Sequence, residues 1–486
     1  MYHSTTSKRF LFILLLLSIT ILDACTKKEK EVIIFDNPIL DEARVELIND
    51  YLSKNGANYE INALDAPETT PFERAQSGKA GSYQIDIIYC GDNLFSNGHW
   101  SFTDLLKAGY LACWDDYLET ENGKRLYSSL PGKYWKAIAS NAKGSIYGIA
   151  GYPYALKTNP VYVVNNSLLE KSGYSLGDLK KPIDGLTDIC SSIQEGENRN
   201  DFNAINIVYD RYFRNSDVYM FNSLIPYLVV DQSSTEKPIC YLLENATIRD
   251  YLDSIFDLYR NPAISTSFNS FYNSDNWFIT IDLRGNAGCF YPYQDGYCTS
   301  TQDTTILYPY GDTVVINPLL KMNAVTSYSE HKDAAFDFLY RLYTDPYLSE
   351  IAAFGCELVE KDGYIFSSTG SELNFANYLY IGNGFIGRPT IYERKDKQSR
   401  LNDLYENAVL PDMAGFYYEN DNYPYAIPSI DSVINLDDLF SGRYSSLSDY
   451  IQSSIDTFER SGGRELLNDV TEKYKNFITE KNTWSH

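Results

Sequence analysis

Two hydrophobic rhythms alternate along the first hundred residues. Val32 to Phe35 and Tyr59 to Leu64 are short β-prone runs. Between them, Leu40 to Tyr51 places Leu40, Ala43, Leu47, Ile48 and Tyr51 on one helical face before Asn55-Gly56 ends it. A short helix around Pro71 to Gln76 leads to a third run, Ile85 to Tyr89. Strand, helix, strand, helix, strand is the pattern of a mainly parallel sheet with helices on its faces. The expected class is therefore α/β. Ser101, followed three residues later by Asp104, caps a helix through Leu105, Leu106 and Ala108 that Gly109 stops. Trp114 and Tyr117 beyond it read as core side chains.

Gly144 to Tyr174 breaks this rhythm. Ile146 to Ala150 is β-prone, Gly151 and Pro153 interrupt it, and Val161 to Val164 starts a second apolar run that turns helical at Ser167. Strand, bend, strand is how a chain leaves one half of a molecule and begins another. Helices are expected at Leu186 to Ile193 and Ile248 to Tyr259, with strands at Ile205 to Tyr209 and Trp277 to Leu283. Val314 to Val325 contains a strand and a loop. Ser329 then caps a helix in which Phe336, Leu339, Tyr340 and Tyr343 share a face, and Pro346 opens the next, which ends at Phe354 before Gly355. A helical tail runs from Leu447 to Glu480.

With 486 residues the chain exceeds the size at which one core keeps growing, so two lobes are expected. An apolar fraction of 44% excludes general disorder. A net charge of -24 excludes nucleic-acid binding through a basic face. Lys8 and Arg9 precede Phe10 to Leu22, an apolar run too short to span a bilayer and flanked as an export signal is. It ends in Leu22-Asp23-Ala24-Cys25, which resembles the bacterial lipobox, whose cysteine thiol is lipidated; Asp23 is its one unusual residue. Residues 1–24 are therefore expected to be removed, leaving Cys25 lipidated and 25–30 as a tether. Seven cysteines remain after Cys25, an odd number, and none is spaced as a metal or redox pair. Cys289 and Cys298 bracket a loop that a disulfide could close.

Chemical motifs are few. Gly382-Asn383-Gly384-Phe385-Ile386-Gly387 matches G-x-G-x-x-G after a strand-like Tyr378 to Ile381, but Arg388-Pro389 follows, where a dinucleotide site needs a helix. A glycine-rich turn is the reading. There is no P-loop, G-x-S-x-G or H-E-x-x-H. His99 and His331 are too isolated for zinc or a catalytic triad. Glu195 to Asp201 is an oxygen-rich loop able to hold Ca²⁺, without the order of an EF-hand loop. No cofactor and no metal are expected.

Four stretches resemble the bacterial extracellular solute-binding lipoproteins of ABC importers, of the large sugar-binding type. Tyr147-Gly148-Ile149 followed by Val161 to Leu169 is similar to that family's first lobe crossing. Ile85 to Tyr89, with Tyr110-Leu111 and Trp114 to Leu118, is similar to its "DIVY" strand and "LDDYL" helix. Lys332 to Gly355 resembles the helix pair of a branch with an added C-terminal domain. Ala414 to Tyr418 and the tail occupy the places of that domain's turn and closing helices. The resemblance implies a two-lobe, type II periplasmic-binding-protein-like fold, with mixed, mainly parallel sheets flanked by helices and a helical C-terminal region. It places residues 31–155 and 310–345 in one lobe, and 156–309 and 346–486 in the other. Crossings are implied near Tyr154 to Val161, near Thr305 to Tyr310, and after Tyr343.

The implied function is capture of a carbohydrate, an oligosaccharide first of all, by a monomer anchored on the outer face of the cell membrane. A permease would receive it, and no reaction would occur. Ligands of open α/β sheets lie beyond the carboxyl ends of the strands. That rule selects Asp36 and Asn37 after the first strand, and Asp92, Asn93 and Trp100 after the third. Tyr152 and Tyr154 come from the first crossing, Asp282 and Arg284 from the strand at Trp277, and Tyr308 and Tyr310 from the second crossing. Three rivals stay open: a peptide or amino-acid ligand, an exported glycoside hydrolase, and an adhesion module without a small ligand.

Overall fold

The computed structural model describes residues 30–483, except 66–68, 91–100, 141, 152–155, 158, 198, 209–217, 221–224, 226, 232–233, 235–237, 268–275, 284–303, 312–314, 317–320, 375–376, 379, 392, 394, 417 and 419–434. Two separate apolar cores divide the chain into two lobes.

The first lobe is built on a five-stranded sheet in the order Tyr59–Ala63, Glu31–Asp36, Ile87–Cys90, Met322–Val325, Ile149–Ala150. The first three strands run parallel; Met322–Val325 runs against both of its neighbours. The second sheet has the order Thr266–Ser267, Asn203–Val208, Trp277–Asp282, Val161–Asn165, Thr304–Leu307. Here Val161–Asn165 is the reversed strand. Each reversed strand is the first one the chain makes after crossing from the other lobe. A chain that leaves one sheet at the carboxyl ends of its strands and enters the next sheet at that same edge must run backwards on arrival. The mainly parallel α/β sheets expected from the sequence are present, and the reversed strands follow from the crossings.

The helices follow local signals. Asp41 caps Glu42–Lys54, its Oδ1 accepting the Arg44 amide at 2.8 Å, and Asn55 closes the helix. Its buried stripe is Arg44, Ile48 and Leu52, while Ala43 is exposed, so the face is rotated from the one expected. The cause is Arg44, whose guanidinium donates to the Ala353 carbonyl at 3.4 Å at the end of the helix Pro346–Phe354. Trp114 is buried and Tyr117 stacks on Phe336 at 4.6 Å, both core side chains as expected. Ser329 does not cap the helix Lys332–Thr344; His331 holds that position, and Ser329 binds the buried Asp86 instead.

The boundaries differ from expectation in two respects. Thr305 to Leu307, expected in the second crossing, pair within the second sheet, and Tyr310 and Val315, expected in the first lobe, pack in the second core, so the chain passes between the cores at Val315–Ile316. Segment 346–408, expected in the second lobe, sends Leu348, Ile351, Phe385, Leu401 and Tyr405 into the first core. From Met413 onwards the apolar side chains enter the second core, where the tail helices Leu447–Arg460 and Gly463–Lys481 pack and Phe458 stacks on Tyr241 at 4.3 Å. The third crossing therefore lies between Ala408 and Met413, and not directly after Tyr343. The physical reason is that Pro346–Phe354 shares its apolar face with the preceding helix and with Glu42–Lys54.

Candidate functional site

Three segments cross between the lobes side by side. Leu156–Lys157 pairs antiparallel with Val315–Ile316, and Val315 bridges Val409 in parallel, the Ile316 amide donating to the Val409 carbonyl at 2.8 Å. Two lysines grip the third crossing from opposite sides. Lys133 of the first lobe donates to the Ala408 carbonyl at 2.8 Å, and Lys481 of the last helix to those of Asp412 and Ala414 at 2.8 and 2.9 Å. Such a narrow three-segment ribbon is a hinge. A few backbone torsions there can reorient two packed bodies without disturbing either core.

Because the chain enters and leaves both sheets at their carboxyl edges, those edges border the hinge, and the candidate site is built there. In the first lobe Asp36 ends the first strand and is 7% exposed. Its Oδ2 accepts Arg74 Nε at 2.7 Å, from the helix Pro71–Lys79. Burial pushes the Asp36 carboxyl above its ordinary range, and the hydrogen bond and charge of Arg74 pull it back down. Asn37, next along, donates to the Tyr380 carbonyl at 2.8 Å and to Asn323 Oδ1 at 3.3 Å, and its own Oδ1 accepts the Ile39 amide at 3.2 Å. Tyr89, on the third strand, faces Tyr380 with ring centroids 5.4 Å apart and planes inclined by 42°. Lys321 places its ammonium 5.2 Å from the Tyr380 centroid.

Tyr380 reaches this edge because of the glycine motif. Tyr378, Tyr380 and Ile381 lie in no strand: the Tyr380 amide donates to the Asn377 carbonyl at 2.9 Å in a tight turn. Asn383, fully buried, pins the turn by donating to the Tyr343 carbonyl at 2.8 Å. Gly382 adopts φ +85°, in the left-handed region. Gly384 donates to the Gly151 carbonyl at 2.8 Å, and a Cβ on Gly151 would stand 2.4 Å from the carbonyl oxygens of both Gly382 and Tyr378. The motif is a glycine-rich turn, as its lack of a following helix implied, and it seats the post-346 segment against the first crossing.

In the second lobe Asp282 ends its strand fully buried, paired with Val161 on one side and Val208 on the other. Tyr308, half-buried, directly follows the strand Thr304–Leu307 at the same edge. Tyr310 points elsewhere. Its hydroxyl accepts the Ile183 amide at 3.0 Å, and its ring meets Tyr251 edge-on at 4.9 Å, so it anchors the second crossing in the second core. Asp92, Asn93, Trp100, Tyr152, Tyr154 and Arg284 lie outside the described residues, as do Cys25, Cys289 and Cys298. So does part of the oxygen-rich loop; among the described residues no group of His, Cys, Asp or Glu is arranged to hold a metal ion.

Sequence reasoning missed Arg74, Tyr89, Asn323 and Tyr380. Tyr89 carried a signal, being the last residue but one of a strand. Tyr380 carried none, because its place depends on a turn some 290 residues from Tyr89 along the chain.

No family model and no curated protein matches the chain. Solved structures do. An N-glycan transport solute-binding protein, NgtS, from Streptococcus pneumoniae is 16% identical over 93% of this chain and 100% of its own, with a TM-score of 0.67. The same protein in complex with Man1GlcNAc gives 18% identity over 93% and 100%, with a TM-score of 0.58. A family 1 extracellular solute-binding protein from Alicyclobacillus acidocaldarius gives 12% identity over 90% and 98%, with a TM-score of 0.53. At these identities the likeness is one of fold. Two cores, a three-segment hinge and one reversed strand per sheet give this chain the two-lobe, type II fold of the extracellular solute-binding proteins.

Proposed function

We propose that the chain captures a carbohydrate, most readily an oligosaccharide, between its two lobes and delivers it to the permease of an ABC importer. The observation that carries this reading is the hinge, bordered on both sides by the carboxyl edges of the sheets, with Asp36, Arg74, Tyr89 and Tyr380 at the edge of the first sheet and Tyr308 at the edge of the second. Aromatic faces beside charged and amide groups suit a ligand with apolar ring faces and a rim of hydroxyls. The glycan named with NgtS supports the ligand class.

On this reading the protein performs no reaction. Asp36 is engaged with Arg74, which suits it to a binding wall better than to general acid chemistry. It acts as a monomer on the outer face of the membrane, held by acyl chains on Cys25; among the described residues no helix is long and apolar enough to cross a membrane. Mass spectrometry of the native N-terminus is expected to find a lipidated Cys25, and an unmodified cysteine or cleavage elsewhere removes the anchor from the proposal.

A thermal-shift screen of oligosaccharides, peptides and metal ions tests the ligand class, since a tight ligand raises apparent stability by mass action. Stabilisation by sugars and compaction in small-angle scattering are expected. Stabilisation by peptides alone transfers the protein to the peptide reading. Turnover of a bound glycan that stops when one carboxylate is removed transfers it to the hydrolase reading.

A further inference from the structure

Asn323 sits inside the strand Met322–Val325 at 1% exposure, where an amide must find hydrogen bonds or destabilise the sheet. It donates to the Tyr343 hydroxyl at 3.1 Å and to the Tyr380 carbonyl at 2.9 Å. Asn37, 8% exposed, donates to the same carbonyl at 2.8 Å. Two buried amides thus converge on the backbone of one turn residue that no helix or sheet ladder holds. What they fix in space is the half-buried Tyr380 ring, set against Tyr89 at the sheet's carboxyl edge with the Lys321 ammonium over it.

We propose that Tyr380 contacts the ligand, forming with Tyr89 an aromatic corner for one sugar ring, and that Asn37 and Asn323 are positioning residues that act through its carbonyl. This rests on the carbohydrate reading above and assigns Asn37 a different part from the direct ligand contact expected of it. Two rings inclined by 42° offer apolar surface to the C–H face of a pyranose. The Lys321 ammonium, which lies over the Tyr380 ring 5.2 Å from its centroid, suits the hydroxyl oxygens that such a sugar carries. The segment after residue 346, whose role the sequence leaves open, thereby supplies part of the binding wall. Its turn also touches the first crossing at Gly151, so the corner is fixed relative to the hinge.

The asparagines grip the backbone of Tyr380, so removing its ring leaves the tether in place. The experiment screens maltotriose, mannotriose, mannopentaose and chitotriose by thermal shift against the wild-type protein. Any binder is then titrated by calorimetry into Tyr380→Phe, Tyr380→Leu, Tyr380→Ala, Asn37→Ala and the double variant Asn37→Ala/Tyr380→Ala. Tyr380→Ala is expected to lose roughly ten- to a hundredfold in affinity, Tyr380→Leu to follow it, and Tyr380→Phe to stay within about threefold of wild type. Asn37→Ala is expected to weaken binding in the wild-type background and to add nothing to Tyr380→Ala, because it acts through that ring. Wild-type affinity in both Tyr380→Ala and Tyr380→Leu overturns the proposal and leaves the carbohydrate reading standing. So does an Asn37→Ala loss that adds in full to that of Tyr380→Ala. If none of the four sugars shifts the wild-type protein, the carbohydrate reading fails for this panel and the proposal falls with it.

Discussion

Val315 and Ile316 are consecutive in the chain and belong to different cores, Val315 packing in the second lobe and Ile316 in the first, each no more than 1% exposed. Alternate residues of a strand point to opposite sides. In this two-residue strand the two sides are the two lobes. The hinge is thus also the shortest covalent link between the cores.

Truncating each of these residues should loosen a different lobe. Ile316→Ala removes buried apolar volume from the first core, at a cost of about 2 to 5 kcal/mol. Amide exchange is expected to quicken in the strands Glu31–Asp36 and Met322–Val325 for Ile316→Ala, and in Asn203–Val208 and Trp277–Asp282 for Val315→Ala. Uniform quickening in both lobes by either change would show a single cooperative core.

The segment after residue 346 depends on buried charge. Glu350 is fully buried and Arg388 holds both its carboxylate oxygens, with Nη2 to Oε2 at 2.6 Å and Nε to Oε1 at 3.1 Å, while Glu360 takes the other arm of the guanidinium at 2.8 Å. Removing one partner of such a pair strands the other charge without water. Arg388→Met is therefore expected to cost about 3 to 5 kcal/mol in urea unfolding of the first lobe, and a Glu350→Gln/Arg388→Met double variant to recover part of it. A cost below about 1 kcal/mol would mean that water reaches Glu350.

Asp36 and Arg74 make the cleft edge sensitive to pH. Burial raises the Asp36 carboxyl, so folding favours its protonated form. Its contribution to stability is present below the ordinary carboxylate range and is lost as pH rises through the elevated folded value. Arg74 opposes that rise. In Arg74→Met the Asp36 titration followed by carbon NMR should move to higher pH, and the loss of stability should extend upward with it. An Asp36 titration unmoved by Arg74→Met would show that the ion pair does not persist in solution.

Trp100 and Tyr154 lie outside the described residues, in the stretches of chain that follow Ile87–Cys90 and Ile149–Ala150. Loss of a stacked aromatic weakens binding by roughly ten- to a hundredfold. Trp100→Ala and Tyr154→Ala are each expected to show this with an identified sugar by calorimetry. Wild-type affinity in both would remove these two loops from the binding wall.

The α/β class, the strand-helix order of the first lobe, the first crossing and the turn at the glycine motif are all properties of the sequence by itself. They are local: period, caps, and glycine or proline at a break are encoded within a dozen residues. The place of Asp36 and Asn37 at the carboxyl end of the first strand was legible for the same reason. The third crossing was not, because where segment 346–408 packs depends on which lobe offers a free apolar face, and Arg44 and Tyr343 meet it from far upstream or across a helix pair. Tyr310 shows the same limit. A tyrosine in a crossing loop can face the cleft or a core, and only the nearby Ile183 amide and Tyr251 ring turn it inward. The corner of Tyr89 and Tyr380 belongs wholly to the tertiary structure, since two rings 291 positions apart meet only after two buried asparagines, Asn37 beyond one strand and Asn323 within another, have caught the Tyr380 carbonyl.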